Sequence, residues 1–309
     1  MGHRRDPMTR GYISMIAAYL LWGLLPIYFK SLPDIAPVEI VAHRIIWSVA
    51  FLLVLMGARG QLGTLAGAMR SGRLVATLAV SALLIGSNWL IYVWAVANHH
   101  ILAASLGYFL NPLVTVMLGV VVLKERLRPA QKGAIALAGA GVAILAVSAL
   151  DTLWISVLLA VSFALYALIR KMAPVEALPG LMIETLLLSP PALAYLVYLQ
   201  TSGLAGFGQN GTESLLLMAA GVITSVPLLL FAQGARVLPL ATVGVLQYMA
   251  PMMQFLLGLL LYREPLGMTR LASFVLIWLA LILFTHDAVK GYRRLAAARA
   301  RGESESEGE

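Results

Sequence analysis

Residues 111–125 read NPLVTVMLGVVVLKE, and residues 250–264 read APMMQFLLGLLLYRE. At a constant separation of 139 residues, a proline, a glycine, a basic residue and a glutamate coincide in the two stretches. Two unrelated apolar helices would rarely share four such positions in one register. The chain therefore contains an internal repeat. In each copy a long apolar segment ends with a basic residue followed by a glutamate.

The composition places these apolar segments in a membrane. Of the 309 residues, 61% are hydrophobic and only 12% are charged, with a mean hydropathy of +0.88. A soluble domain carries about 25% charged residues and cannot bury this much apolar surface. Because the chain has no cysteine, disulfide scaffolds, thiol catalysis and cysteine-ligated metals are excluded.

Ten apolar segments have the length of a membrane span, which is roughly 20 residues. The eighth and ninth are separated at Pro239, since one continuous helix would be too long for a bilayer. The sequence thus predicts an all-α membrane protein with ten transmembrane helices. The predicted spans are Gly11–Phe29, Pro37–Gly57, Leu74–Val96, Ile101–Leu123, Gln131–Ser148, Leu153–Ile169, Gly180–Leu199, Leu215–Leu238, Leu240–Leu261 and Leu271–Phe284.

The repeat aligns the sequence of the fourth span with that of the ninth, five spans later. An odd separation means that the two copies cross the membrane in opposite directions. We therefore expect two inverted five-helix repeats, residues 1–150 and 151–286, as in many secondary transporters. Residues 287–309 are expected to form a cytoplasmic basic helix and a disordered acidic tail.

Basic residues are distributed unevenly between the two ends of the predicted bundle. With ten alternating spans, the end that carries both termini holds 18 Lys and Arg residues and the opposite end holds 3. This bias predicts that both termini are cytoplasmic. It also accounts for the net charge of +8 without a nucleic-acid partner.

The repeated motif resembles the EamA-type repeat of the drug/metabolite transporter superfamily, and several further segments resemble the RarD family. The resemblance extends over nearly the whole chain, from Gly11 to Phe284. The segments are Trp22-Gly23-Leu24-Leu25-Pro26, Glu39-x3-His43-Arg44-x2-Trp47-Ser48, Ser87-Asn88-Trp89-x2-Tyr92-x-Trp94-Ala95, Ala104-Ser105-Leu106-Gly107-Tyr108-Phe109-Leu110-Asn111-Pro112, Glu184-Thr185 and Leu246-Gln247-Tyr248-x2-Pro251.

This resemblance implies a ten-helix carrier in a bacterial cytoplasmic membrane. It implies export or exchange of small organic solutes, such as amphipathic or amino-acid-like metabolites or drugs, and does not fix the solute. Protons are the candidate coupling ion.

Arg44 is the strongest candidate for solute binding, because a charge within the bilayer is costly unless it serves a function. Its guanidinium could hold a carboxylate, or it could extend to the membrane interface. The neighbouring His43 could bind solute and carry a proton, or simply pack between helices. One turn earlier, Glu39 is a proton-coupling candidate, although a helix N-terminus also favours an acid.

Polar residues on two other spans are expected at a similar depth. Asn88 and Tyr92 share one face of the third span, and Tyr108 and Asn111 lie in the fourth span. We predict that these four side chains line the solute site with Arg44.

Two prolines are expected to bend the repeated helices. Pro112 and Pro251 each remove a backbone hydrogen bond, and the freed carbonyl is tolerated where it faces protein or a water-filled cavity. Gln247 and Tyr248 precede Pro251 and are predicted to bind solute. The alternative is that both kinks are structural only.

Glu184 lies within the seventh span and is the second candidate for proton coupling. Stabilisation of a helix N-terminus is its alternative role.

The sequence contains no nucleotide-binding or hydrolase motif, and its polar residues are dispersed rather than clustered. We therefore predict a permease with no cofactor and no metal, rather than an enzyme. A channel or receptor-like membrane protein is the alternative, followed by an intramembrane enzyme. The sequence does not indicate an oligomeric state.

Overall fold

The computed structural model describes residues 7–147, 150–261 and 268–306. In these ranges nine segments are long and apolar enough to cross a membrane, and Leu271–Asp287 is a shorter apolar helix. The prediction of ten apolar membrane helices is thereby confirmed. The helices are α1 (Pro7–Gly23), α2 (Leu25–Lys30), α3 (Pro37–Ala58), α4 (Leu62–Met69), α5 (Gly72–Ala97), α6 (Ile101–Val121), α7 (Pro129–Val147), α8 (Leu153–Met172), α9 (Ala177–Thr201), α10 (Gly211–Val237), α11 (Leu240–Gln247), α12 (Met249–Leu260) and α13 (Met268–Ser306).

Thirteen helices build ten spans because two spans are interrupted and one helix lies between spans. The first span breaks between α1 and α2, just before Pro26, and the ninth breaks at Tyr248, three residues before Pro251. Proline lacks the N–H needed to continue a helix, which explains both interruptions. In contrast, α6 continues through Pro112. The short helix α4 lies in the connection between the second and third spans.

We call the end of the bundle that holds the start of α1 the near end, and the opposite end the far end. Consecutive spans run in alternating directions between them. Thus α3 and α10 begin at the far end, whereas α5, α9 and α11 begin at the near end.

The packing of the helices repeats after an advance of five spans. The contact between the first and eighth spans recurs, five spans later, as the contact between the sixth and third spans. In the same way, the contact between the fourth and sixth spans recurs as the contact between the ninth and first spans. The second and seventh, fourth and ninth, and fifth and tenth spans contact their own counterparts. This is the arrangement expected of two inverted five-helix repeats related by a pseudo-twofold axis.

The first copy of the repeated motif stabilises the junction between α10 and α11. Glu125 accepts hydrogen bonds from the N–H groups of Leu240 (2.6 Å) and Ala241 (2.8 Å), at the start of α11. The ammonium of Lys171 donates to the carbonyl oxygens of Ala235 (3.3 Å) and Leu238, at the end of α10. Each charge thus faces the helix end of opposite partial charge.

The glycine of the motif is needed for this junction. A Cβ atom on Gly119 would lie 2.8 Å from Oε2 of Glu125 and 3.1 Å from the nitrogen of Ala241. Only glycine therefore leaves room for the carboxylate between α6 and α11. The second copy of the charged pair, Arg263-Glu264, lies outside the described residues.

The last helix is longer than the sequence predicts. The backbone of α13 continues to Ser306, through most of the segment expected to be disordered. Alanine, arginine and glutamate dominate residues 293–305, and these residues have high helix propensity. An ion pair of 3.2 Å between Arg128 and Asp287 joins this helix to the start of α7.

The helices α3 and α10 are in tight contact at Gly221. A Cβ atom on Gly221 would lie 2.3 Å from the backbone carbon of Trp47, and the Ser48 hydroxyl donates to the Gly221 carbonyl at 3.2 Å. Small residues permit such contacts between membrane helices. Arg44 lies one turn before Ser48 in α3, and Thr224 lies one turn after Gly221 in α10. The crossing therefore brings these two turns next to each other.

Replacing Gly221 by alanine is expected to destabilise the protein, because the new methyl group would press on backbone atoms that cannot rotate away. Overpacking of this kind costs about 1–3 kcal/mol, measurable as a lower free energy of unfolding in a detergent titration. Gly139→Ala in α7 is the control, since nothing lies within 4 Å of its Cβ position. Equal stability of the two variants would contradict this account of the crossing.

Candidate functional site

Arg44 lies between α3 and α10, where its guanidinium is half-buried. Its Nε donates a hydrogen bond of 2.8 Å to the hydroxyl of Thr224. None of the ion pairs found in the described part of the chain involves Arg44. The guanidinium therefore has a fixed orientation and no acidic partner there.

Aromatic rings surround the Arg44 guanidinium. Its Cζ lies 4.8 Å from the ring centroid of Trp89 and 5.8 Å from that of Phe29. The hydroxyl groups of Tyr28, Tyr92 and Tyr108 are close enough to interact with its charge. We call these five residues the aromatic box: Tyr28, Phe29, Trp89, Tyr92 and Tyr108.

The aromatic box draws on three different spans. Tyr28 and Phe29 come from α2, Trp89 and Tyr92 from α5, and Tyr108 from α6. The rings of Tyr92 and Tyr108 lie 5.6 Å apart, and all five residues are half-buried. Stacking on aromatic faces stabilises a guanidinium without neutralising it, so Arg44 keeps its capacity to bind an anion.

A small cavity extends from Thr224 towards the near end. Its volume is about 20 Å³, which is room for about one water molecule. This cavity is therefore too small for an organic solute. Its polar lining residues are Ser48, Tyr166, Glu184, Thr185, Thr224 and Ser225.

A buried ion pair adjoins this cavity. Arg170 of α8 and Glu184 of α9 are each 1% exposed, with 3.6 Å between Nη1 and Oε1. The Ser81 hydroxyl lies close to the Glu184 carboxylate without making a hydrogen bond of good geometry, and the buried Tyr166 hydroxyl has no hydrogen-bond partner in the described chain. Removing one partner of such a pair leaves a charge in the bilayer without compensation.

Gly180 makes room for the Arg170 side chain. A Cβ atom at this position would lie 2.2 Å from Nη1 of Arg170. The Arg170 Nη2 donates to the carbonyl of Ala177 at 3.2 Å. Arg170 therefore passes over the first turn of α9 to reach Glu184.

Glu39 and His43 form a separate group at the far end. Both are buried, and the His43 Nε2 lies 3.7 Å from the Glu39 Oε1. The Glu39 carboxylate accepts hydrogen bonds from the backbone N–H groups of Gly206 and Phe207. The His43 ring lies 4.9 Å from that of Phe207, so the loop between α9 and α10 covers both residues.

Asn88 and Asn111 are buried against protein rather than placed beside Arg44. The Asn88 amide donates to the carbonyl of Leu159 (2.8 Å) and the hydroxyl of Ser162 (2.9 Å) in α8. The Asn111 side-chain oxygen accepts from Thr115 of its own helix at 3.3 Å. Asn88 thus joins α5 to α8, whereas the Asn111 hydrogen bond stays within α6.

Tyr248 and Pro112 line a second small cavity, distinct from the one near Arg44. Its other lining residues are apolar, and the buried Tyr248 hydroxyl has no hydrogen-bond partner in the described chain. Gln247 is also buried, and its side-chain oxygen is likewise without a partner there. The structure thus groups Arg44, Tyr92 and Tyr108 together, and places Tyr248 and Pro112 at the second cavity.

Sequence reasoning missed Thr224 and Arg170. Thr224 is one hydroxyl in a long apolar helix, and hydropathy does not reveal which face of a helix meets Arg44. Arg170 directly follows the predicted sixth span, so the sequence places it in a loop, whereas α8 continues to Met172 and buries it. An arginine just after a span and an acid within the next one are the signal that could have suggested the pair.

Nine apolar segments long enough to cross a membrane, a shorter tenth one and their repeated packing define, in the described residues, a polytopic membrane protein. The chain belongs to the EamA-like transporter family, whose pattern matches residues 9–147, and within it to the RarD-type proteins. A relative called "Protein RarD" from Escherichia coli is 44% identical over 293 residues, covering 92% of this chain and 97% of the relative.

Two further relatives carry names that mention only transport. An uncharacterized transporter from Pseudomonas aeruginosa is 47% identical over 289 residues, covering 93% of this chain and 97% of the relative. The uncharacterized transporter YojE from Bacillus subtilis is 42% identical over 288 residues, covering 92% and 96%. A solved crystal structure shares the fold, with a TM-score of 0.67, 20% identity and coverage of 89% of this chain and 97% of the other. The protein is thus a multi-pass bacterial membrane transporter.

The buried ion pair predicts a characteristic pattern of stability changes. Arg170→Met should lower the free energy of unfolding by about 3–5 kcal/mol, because the buried Glu184 carboxyl would lose its countercharge. The double variant Arg170→Met with Glu184→Met should recover most of this loss, as both charges are then absent. Detergent unfolding of the purified variants measures both changes. A double variant less stable than the single one would contradict the pairing.

Proposed function

We propose that this protein is a secondary transporter that exports small amphipathic or amino-acid-like organic solutes carrying a carboxylate or a similar anionic group. The observation that carries the proposal is the position of Arg44, a half-buried guanidinium without an acidic partner in the described chain and enclosed by aromatic rings. A solute anion would supply the missing countercharge.

The geometry of Arg44 suits a ligand with one charged and one apolar part. Because Nε is occupied by Thr224, the terminal Nη groups remain available for a carboxylate, which guanidinium groups bind strongly. Rings of the aromatic box would contact the apolar part of the solute. We infer that Tyr92 and Tyr108, whose rings pack together, form one wall of this site.

We infer that the solute crosses by alternating access between two inverted halves, residues 1–150 and 151–286. Inverted repeats can exchange conformations, so that a central site opens first to one side and then to the other. In our proposal the near end faces the cytoplasm, as the excess of basic residues favours. The basic segment after residue 287 then lies against the cytoplasmic leaflet.

Protons are our candidate for the coupling ion, with Glu184 as the residue that binds them. The carboxylate lines the small cavity and is buried beside Arg170. A carboxyl group in such surroundings can alternate between a neutral form and an ion pair with Arg170. Glu39 is less suited to this task, since its oxygens already accept backbone hydrogen bonds.

Arg44→Ala is expected to reduce solute export by at least about 100-fold, because the solute anion would lose its charge-assisted hydrogen bonds within the bilayer. The measurement compares metabolites in the medium of cells that produce the wild type or the variant at equal membrane abundance. Thr224→Val should weaken export less, since the guanidinium would remain but lose its orientation.

Arg73→Ala is the matched control, because this arginine is exposed at the near end of α5 and should leave export unchanged. Normal export by a well-inserted Arg44→Ala protein would contradict the proposed role. A solute enriched outside only with the wild type would establish both direction and substrate class.

Glu184→Gln is expected to abolish proton-driven transport while solute exchange across vesicle membranes persists, because glutamine cannot take up a proton. The experiment compares solute accumulation driven by an imposed pH gradient with solute counterflow in the same vesicles. Retained pH-driven accumulation in this variant would exclude Glu184 as the coupling residue. Loss of counterflow as well would indicate that the variant lacks a working site.

A further inference from the structure

The first span is interrupted between α1 and α2, and the interruption leaves a backbone carbonyl without its helical donor. Pro26 has no N–H group, so it cannot donate to the carbonyl of Trp22, four residues earlier. The N–H of Ile27 donates to the carbonyl of Leu24, only three residues back, at 3.0 Å. An unpaired carbonyl at membrane depth costs free energy, so the break requires a donor from another helix.

Gln254 of α12 supplies that donor. Its Nε2 donates to the Trp22 carbonyl at 3.2 Å, and both residues are half-buried. The helices α1 and α12 are in tight contact here, because a Cβ atom on Gly23 would lie 2.7 Å from the Cβ of Met253. Gln254 thus takes the place of the N–H group that Pro26 lacks.

A second hydrogen bond runs in the opposite direction between the same two spans. The hydroxyl of Tyr19 in α1 donates to the carbonyl of Val243 in α11 at 3.1 Å, and Tyr19 is fully buried. The first and ninth spans are the two interrupted ones, and each donates one side-chain hydrogen bond to the backbone of the other. We call these two hydrogen bonds the clasp.

The other copy of the repeat differs at the corresponding position. In the aligned motif Gln254 corresponds to Thr115, whose hydroxyl donates to the Asn111 side chain within α6 at 3.3 Å. The neighbour of α6 is α8, which is continuous from Leu153 to Met172 and contains no proline. A glutamine that reaches the next span is therefore present where that span is broken. A threonine that bonds within its own helix is present where the next span is continuous.

The short helix after the break covers Arg44 at the far end. The ring centroid of Phe29 in α2 lies 5.8 Å from the Arg44 Cζ, and the Tyr28 hydroxyl donates to the Leu216 carbonyl in α10 at 3.1 Å. Leu32 follows α2, donates its N–H to the Phe29 carbonyl at 3.1 Å, and is 2% exposed. With six residues, α2 is too short to be stable alone, so its position depends on such contacts and on its connection to α1.

We propose that α2 is a hinged cover of the Arg44 site and that Gln254 is the positioning residue that holds it closed. While Gln254 bonds to Trp22, the angle between α1 and α2 is fixed, and Tyr28 and Phe29 stay against the guanidinium. When that hydrogen bond breaks, α2 swings away from α3 and opens Arg44 to the far end. The proposal rests on the proposed solute site at Arg44, because it assigns the movement that admits or releases the solute there.

The test uses a single thiol at a position that the closed cover buries, and it requires no solute. Because the chain has no cysteine, Leu32→Cys places one reactive group at a buried position that moves with α2. A water-soluble maleimide is added to the purified full-length protein in detergent, and the rate of labelling measures how often the cover opens. Labelling in detergent does not depend on which end of the bundle faces the cytoplasm.

In this background, Gln254→Met should raise the labelling rate about fivefold, because methionine has nearly the same length and no N–H donor. An increase of this size corresponds to the loss of one hydrogen bond between uncharged groups. When Pro26→Ala is also present, Gln254→Met should leave the rate nearly unchanged, since the restored backbone N–H donates to the Trp22 carbonyl. A general loss of stability would instead raise labelling with and without Pro26→Ala.

Gln233→Met is the matched control, because Gln233 is an exposed glutamine of α10 and should leave the labelling rate unchanged. If Gln254→Met is not recovered as folded protein, Gln254→Leu replaces it, with the same expected increase. An unchanged rate in the Gln254 variant, or an equal increase with and without Pro26→Ala, would overturn the proposal. Neither result depends on whether the protein exports the proposed solutes.

Discussion

Our functional interpretation depends on the Arg44 guanidinium, which has no acidic partner in the described chain. It lies inside a protein built almost entirely from apolar helices. A charge at this depth costs free energy unless its surroundings compensate it. Here the compensation comes from one hydrogen bond to Thr224 and from the faces of Trp89 and Phe29. The tight crossing at Gly221 brings α3 and α10 close enough for that hydrogen bond to form. None of these contacts neutralises the charge, so a bound anion would be favoured.

Arg170 differs from Arg44 because its charge is already paired within the protein and cannot serve a bound anion. Arg170 is almost fully buried and faces Glu184 at 3.6 Å, so its charge already has a countercharge within the protein. Arg44 is half-buried and has none among the described residues. Thr224 and Glu184 both line the small cavity. Movement of α9 relative to α10 would therefore alter both sites together, which is how a proton at Glu184 could be linked to a solute at Arg44.

The helices and their repeat could be predicted from the sequence because hydropathy, proline and the duplicated motif report directly on them. The positions of side chains around each helix could not, since an apolar helix shows little difference between its lipid-facing and protein-facing sides. For this reason Arg44, Tyr92 and Tyr108 were predicted and do lie together, whereas Asn88 was assigned to the same site and instead bonds to α8. The short helix α4 and the partner Thr224 were missed, because neither has a distinctive pattern. The role of Gly119 could not be predicted from the motif alone, because it depends on the position of α11 beside this residue.

The most direct test of the central claim is a thermal-unfolding measurement on the purified protein with phenylacetate and with its neutral analogue phenylacetamide. Both probes offer the same ring to the aromatic box, and only phenylacetate offers an anion to Arg44. A ligand that binds the folded state raises the unfolding temperature in proportion to its affinity. We predict that phenylacetate raises the Tm of the wild type, that phenylacetamide does not, and that Arg44→Ala removes the difference. Equal shifts with the two probes, or a shift by phenylacetate that survives in Arg44→Ala, would contradict the assignment of Arg44 as the anion site.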